Sequence, residues 1–252
     1  MKVLDLFSGI GGFALGLEAA GFETAAFCEI DPYAQKVLKK NWPGVPIYGD
    51  VRRITADRLV SDGVGVDVIT GGFPCQDIST AGRQAGIDGE RSGLWSECSR
   101  LLGDIRPRYA IFENVTNLLT GDGGDWFKRV LWDISSVGYD AEWHCIPASA
   151  IGAHHHRDRV WIVAYPQCRR QSGQGLHGGR SNKAKNQDRE ASLFINSCQG
   201  NSSIWDAEPN VGRVANGIPK RSHRLRCLGN AVVPQMPELI GRQIMEADRG
   251  RA

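Results

Sequence analysis

The sequence predicts an α/β fold built on a doubly wound, mainly parallel sheet, and three observations carry that expectation. Short apolar runs rich in β-branched and aromatic residues alternate with helical patterns through the first two thirds of the chain. Glycines, prolines and capping residues stand at the junctions between them. With 252 residues, 41% of them hydrophobic, the chain can bury one large core. Alternation of this kind places helices on both faces of a sheet, and ligands then sit at the carboxyl ends of the strands.

Val3 to Phe7 reads as the first strand, Phe13 to Ala20 as a helix closed by Gly21, and Thr24 to Glu29 as the second strand. Asp31 followed by Pro32 joins an N-cap to the proline favoured at a first helical position, opening a helix that runs to Asn41. Further strands are expected at Val66 to Thr70, Tyr109 to Phe112, Glu142 to Ile146 and Val160 to Tyr165, with helices at Leu94 to Ile105 and Trp126 to Val137. From Pro166 to Asn201 the pattern gives way to Gln, Gly, Ser, Asn, Lys and Arg, too little apolar material to build a core. Ile204 to Ile218 regains some apolar content, and Leu239 to Met245 reads as a final helix packed back on the sheet.

Composition narrows the function classes. Seven cysteines form an odd set with no Cys-x-x-Cys pair, which argues against a disulfide framework or a zinc ribbon and for reduced thiols inside a cell. Asp5 interrupts the N-terminus before a signal-like apolar stretch forms, and no run approaches the length of a bilayer span, so no membrane partner is expected. The net charge of +2 hides an asymmetry. Residues 1 to 166 hold 16 Lys and Arg against 21 Asp and Glu, residues 167 to 226 hold 11 against 4, and residues 227 to 252 hold 3 against 3. The middle segment, at +7, has the charge of a phosphate-contacting face or of a solvated surface.

Three constellations carry chemistry. After the first strand comes Phe7-Ser8-Gly9-Ile10-Gly11-Gly12-Phe13, with Glu29 and Asp31 at the end of the second. Glycines let backbone approach a ligand, and a carboxylate there accepts hydrogen bonds from ribose hydroxyls. This points to a nucleoside cofactor without saying which, and Gly9-x-Gly11-x-x-Ala14 leaves a nicotinamide-dependent dehydrogenase open. The strand over Val66 to Thr70 runs into Gly71-Gly72-Phe73-Pro74-Cys75-Gln76, setting one thiol where such sheets present catalytic groups. A lone cysteine is more often a buried small hydrophobe. Here, however, two glycines admit a flat substrate, Pro74 fixes the preceding backbone, and the polar segment Asp77 to Gly93 suits a loop over a site. Glu113-Asn114-Val115 follows the strand at Tyr109 to Phe112, and Glu113 either pairs with an arginine or faces the same crevice as Cys75.

Read together and in order, these residues resemble the C5-cytosine DNA methyltransferases, in their bacterial and phage form. Asp5 to Phe13 is similar to the family's first motif, which holds S-adenosylmethionine, and this implies cofactor roles for Phe7, Ser8, Gly9, Gly11 and Gly12. Glu29 matches the ribose-binding acid and Asp50, in Gly49-Asp50-Val51, the acid facing the adenine. Pro74-Cys75-Gln76 matches the nucleophile motif, Arg91-Ser92-Gly93-Leu94-Trp95 the cofactor-side motif that follows, and Glu113-Asn114-Val115 the motif that holds the target base. Leu228-Gly229-Asn230-Ala231-Val232-Val233-Pro234-Gln235 resembles the last motif, so Asn230 and Ala231 return to the cofactor pocket. One departure is Gly152-Ala153-His154-His155-His156-Arg157-Asp158-Arg159, where the family pattern is Gln-x-Arg-x-Arg. His155 takes the glutamine position, while Arg157 and Arg159 keep substrate-side roles. Adjacent histidines on an extended segment point in alternating directions, so no metal is expected.

The resemblance implies a Rossmann-like catalytic domain over residues 1 to 166 plus 224 to 252, and a short, irregular target-recognition region over 167 to 223. It implies a cytosine-5 methyltransferase acting in restriction–modification on double-stranded DNA, as a monomer, in the cytoplasm of a bacterial or phage-infected cell. Cys75 would add to carbon 6 of a flipped-out cytosine, Glu113 would bond N3 and the exocyclic amine, Arg159 would contact O2 and Arg157 would order the pocket. An RNA cytosine-5 methyltransferase with the same residues, or a non-catalytic DNA-binding protein on this scaffold, are the other readings.

Overall fold

The computed structural model describes residues 1–74, 94–154, 157–167 and 221–250. Seven strands form one sheet: β1 (Lys2–Leu6), β2 (Glu23–Cys28), β3 (Ile47–Tyr48), β4 (Val68–Gly71), β5 (Tyr109–Val115), β6 (Tyr139–Pro147) and β7 (Asp158–Pro166). Their order is β3-β2-β1-β4-β5-β7-β6. The first five are parallel, and β7 runs antiparallel to both β5 and β6. The chain leaves β1 for β2 on one side and reaches β4 on the other, so the crevice where such sheets bind ligands lies at the carboxyl ends of β1 and β4.

Helices α1 (Gly12–Ala19), α2 (Pro32–Asn41), α3 (Ala56–Ser61), α4 (Trp95–Ile105), α5 (Asn117–Thr120), α6 (Asp125–Ser136), α7 (Arg221–Asn230) and α8 (Gln235–Arg249) complete the described chain. Side chains alternate across a strand, and β1 shows the consequence. Leu4 and Leu6 enter the core under α4 and α6, with Leu101, Leu102, Val130 and Ile134. Val3 enters the opposite core with Phe13 and Leu17 of α1 and Met236, Ile240 and Ile244 of α8. Fully burying each such side chain contributes about 1.5–3 kcal/mol. The α1–α8 seam is tight because Gly16 and Gly241 face it. A Cβ on Gly16 would stand 2.0 Å from the Pro234 carbonyl oxygen, and one on Gly241 2.9 Å from Ala20 Cβ.

The predicted elements are present, with informative differences at their ends. β1 stops at Leu6 because Phe7 turns into left-handed backbone at φ 54°. β5 does not end at Phe112. Antiparallel pairing with β7 carries it to Val115, so Glu113 and Asn114 lie within the strand, opposite Trp161 and Val160. The final helix spans fifteen residues, its buried stripe of Met236, Ile240 and Ile244 spaced as an amphipathic helix requires. Its charged outer face hid its ends from an apolar reading. α3, α5, α7 and the two-residue β3 were not expected. The last is too short to carry a period. No helix among the described residues is long and apolar enough to cross a membrane.

Candidate active site

Around the glycine loop after β1 the backbone does most of the holding. Glu29 follows β2, and its two carboxylate oxygens each accept a backbone N–H, from Gly9 and from Asp31, both at 2.7 Å. Ser8 ties the loop down from below: its hydroxyl donates to the Asp5 carbonyl at 2.6 Å and accepts the Cys28 N–H at 3.2 Å. Asp31 caps α2 through Tyr33 N–H at 2.7 Å, and its other oxygen pairs with Arg226 of α7. Ile30, between the two acids, is 70% exposed and offers an apolar edge beside Glu29. A flat ring could rest there.

The three glycines of the loop have separate jobs. Gly9 sits at φ +55° with open space where a Cβ would be, so it alone leaves room for a ligand against the backbone. A Cβ on Gly11 would meet the Trp42 ring at 2.5 Å, and one on Gly12 the Val232 carbonyl at 2.6 Å. These two positions are fixed by packing. Asp50 caps the 3₁₀ turn Val51–Arg53, and both its oxygens are taken by Arg52, at 2.8–3.1 Å. The bonds from Arg52 hold its carboxyl below the usual range.

The second half of the site lies at the carboxyl ends of β4 and β5. Glu113 Oε1 pairs with Arg159 Nε at 2.7 Å. Burial pushes the Glu113 carboxyl above its ordinary value, although the Arg159 and Arg157 charges pull it down. A methyl group on Gly72 would stand only 3.1 Å from Glu113 Oε2, so the segment leading into Pro74 passes directly against that carboxylate. Asn114 fixes the same segment from the next position, donating from its side-chain amide to the Phe73 carbonyl at 3.2 Å. Phe73, Trp95 and Phe112 pack against one another, tilted and edge-on, with ring centroids 5.0 and 5.2 Å apart, and Leu94 leads into α4 beside them. Arg157 donates to the Gly229 carbonyl at 2.7 Å, joining the arginine segment to the end of α7 just before Asn230 and Ala231. Glu113, Arg157, Arg159 and Trp161 share a cleft with Val232 and Met236. Trp161 is 3% exposed, and its indole N–H has no partner among the described residues.

The structure thus brings Phe7, Ser8, Gly9 and Glu29 together on one side and Glu113, Arg157 and Arg159 together on the other, with Gly71, Gly72 and Pro74 leading toward the second group. Cys75 and the segment to Gly93 lie outside the described residues, as do His155, His156 and residues 168–220. Sequence reasoning passed over Trp161 and Ile30, and it named Gly72 and Asn114 within their motifs without the separate contacts they make here. For Ile30 there was a signal: an apolar residue between two acids at a strand end has no core to enter.

Comparison with known proteins agrees with this architecture. A Type II methyltransferase from Bacillus subtilis, M2.BsuMI, is 40% identical over 168 residues, 65% of this chain. The Type II methyltransferase M.HgiBI of Herpetosiphon aurantiacus is 37% identical over 66% of this chain. The matched segment takes up 42% and 37% of those relatives, so this chain accounts for less than half of each. A crystallised prophage-encoded E. coli protein, described as a DNA modification methyltransferase, superimposes with a TM-score of 0.57 at 28% identity, over 66% of this chain and 47% of its own. The family model for C-5 cytosine-specific DNA methylases matches residues 1–215, and the chain belongs to that family.

Proposed function

We propose that this protein transfers a methyl group from S-adenosylmethionine to carbon 5 of a cytosine flipped out of duplex DNA, with Cys75 as the covalent nucleophile. The observation that carries this reading is the approach of the Gly72-Phe73-Pro74 segment to Glu113, which Arg159 holds in place. It brings the segment that leads to Cys75 against a buried carboxyl.

The residues present fit the cofactor. Glu29 presents a carboxylate already oriented by two N–H groups for ribose hydroxyls, Ile30 an apolar edge for the adenine, and Gly9 an open approach. Asp50 accepts from the adenine amine only with an oxygen lone pair that Arg52 leaves over. When bound, the cofactor supplies an electrophilic methyl group. The protein's own task is to make carbon 5 of the ring nucleophilic. Cys75, as a thiolate, adds to carbon 6. Glu113, whose burial favours the protonated form, donates to N3 as negative charge reaches the ring. Arg159 meets O2, and Arg157 keeps the arginine segment docked on Gly229. After transfer, the carbon 5 proton passes to solvent, the N3 proton returns to Glu113, the 5,6 double bond reforms and Cys75 leaves as the thiolate.

Such chemistry needs the base outside the stack, at a cost of roughly a few kcal/mol. Phosphate contacts from the basic 167–223 region supply affinity that falls with salt. We assign that region to target recognition, and residues 1–166 with 224–252 to catalysis, in a monomer that works in the cytoplasm beside its DNA. The test is transfer of labelled methyl groups to mixed-sequence duplex DNA and, separately, to transfer RNA, with nucleoside analysis. 5-Methylcytosine in DNA is expected. Label in RNA alone moves the assignment to an RNA methyltransferase with the same machinery.

A further inference from the structure

One donor beside Glu113 takes no part in the proposed reaction. Trp161 lies in β7 directly opposite Glu113 of β5, and the two side chains line one cleft with Arg157 and Arg159. The Cβ atoms of opposed residues in an antiparallel pair stand about 4.5–5.5 Å apart, so an indole and a glutamate there are within reach of each other. The indole is 3% exposed and set by an edge-on contact with Phe13 of α1, ring centroids 5.7 Å apart. Its N–H is buried without a partner among the described residues. A buried donor left unmet is costly, and a phenylalanine would fill the same apolar seat beside Phe13, Ile146 and Met236 without that cost. Glu113 itself is held at Oε1 by Arg159, the group that meets O2 of the base in the proposed reaction.

We propose that Trp161 is a positioning residue for Glu113: its indole N–H donates to the Glu113 carboxylate, directly or through one ordered water, once Arg159 has turned to the base. The proposal rests on the function proposed above. With a cytosine bound, Arg159 goes to O2 and Glu113 gives its proton to N3, which leaves a buried carboxylate without its first donor. The exocyclic amine of the base bonds one oxygen and Trp161 the other. The indole keeps its own proton and brings no full charge, so the carboxylate stays basic enough to take the proton back from N3 when Cys75 leaves. A cationic donor there would hold the ionised form more firmly. The charges that reach Glu113 are those of Arg159 and Arg157, which pull its carboxyl down against burial. β4 contains no ionisable residue, and His144 of β6 stands opposite Trp161 across the other edge of β7. Asp5 of β1 bonds Thr70, Glu18 of α1 bonds Thr24 and Trp42, and Glu238 of α8 pairs with Arg242.

The experiment measures kcat against pH, at saturating S-adenosylmethionine and duplex DNA, for wild type and two variants. One is Trp161→Phe. The other carries 3-benzothienylalanine in place of Trp161, which keeps both rings, replaces the N–H with sulfur and decides the matter alone if the phenylalanine chain does not fold. We expect kcat to fall about tenfold or more in both, with calorimetric affinity for S-adenosylhomocysteine within about twofold of wild type. The alkaline limb set by Glu113 should move up by about one pH unit, because the carboxylate loses a donor that favoured its ionised form. A lower kcat with the limb in place assigns Trp161 to packing and overturns the proposal, as does an unchanged kcat in the benzothienyl chain. A second readout is the indole N–H resonance that the variants lack. It should move downfield when wild type forms its covalent adduct on 5-fluorocytosine DNA, and a resonance that stays put overturns the proposal. Wild type that methylates no cytosine, or a Glu113→Gln variant as active as wild type, overturns the function reading and this proposal with it.

Discussion

Two carboxylates at the carboxyl edge of one sheet are held in opposite ways. Glu29 is fixed by two backbone N–H groups, donors that cannot move without unmaking the loop after β1 and the start of α2. Glu113 is held by the side chain of Arg159, a partner that can turn to another acceptor, and burial biases it toward carrying a proton. The first is a preorganised binding group and the second a group able to change partner and protonation during a reaction. Under the proposed function, Glu29 would belong with affinity and Glu113 with turnover.

Substitutions should separate the two, and the largest effect belongs to Glu113. Glu113→Gln keeps the shape and removes the acid, so kcat should fall by about 10²–10⁴ while cofactor affinity measured by calorimetry stays put. The pH profile sharpens this. A carboxyl raised above its ordinary value keeps its proton to higher pH, so wild-type activity should decline on the alkaline side as Glu113 ionises. That limb should vanish in the weakly active variant. Glu29→Gln should do the reverse, weakening cofactor binding roughly tenfold or more through loss of two charge-assisted bonds, with kcat at saturation little changed. A kcat loss in Glu29→Gln equal to that of Glu113→Gln would erase the distinction.

Packing around the two groups should give smaller effects. Gly16→Ala drives a Cβ into the Pro234 carbonyl, and such overpacking costs about 1–3 kcal/mol, read as a lower Tm. Asp5→Asn tests the centre of the sheet by stability. Its folded-state value near 7 stands above the ordinary 3.8, so the folded protein keeps a proton that the unfolded chain gives up. Wild-type stability therefore declines as pH rises through that window and stays lower above it. The Tm of Asp5→Asn relative to wild type should be higher at pH 8 than at pH 5 by scanning calorimetry. Arg226→Ala should matter least, since an exposed pair such as Arg226 with Asp31 contributes under about 1 kcal/mol.

The alternation of strand and helix was legible in the sequence because parallel strands buried on both faces read as apolar runs. Ala110-Ile111-Phe112 and Val3-Leu4 are examples. What pairing alone decides was not legible. The extension of β5 to Val115 depends on β7, whose antiparallel course no local pattern announces. The site divides the same way. Motif order pointed to Glu29, Glu113 and Arg159; Glu29 follows β2, and Glu113, inside β5, pairs with Arg159 near the start of β7. It could not separate Gly9, which faces open space, from Gly11 and Gly12, which are pinned by Trp42 and Val232. Nor could it show that Asp5 and Trp161 each bury a polar atom without a partner among the described residues, since an unmet hydrogen bond is a property of the folded neighbourhood.

The most direct test of the central claim is covalent capture on duplex DNA carrying 5-fluorocytosine, with S-adenosylmethionine present. Fluorine cannot leave carbon 5 as a proton does, so the thiol adduct should stall. The account predicts a one-to-one protein–DNA adduct whose crosslinked peptide contains Cys75, absent in Cys75→Ser. Normal DNA methylation by the Cys75→Ser variant, or an adduct mapped to a different residue, would contradict it.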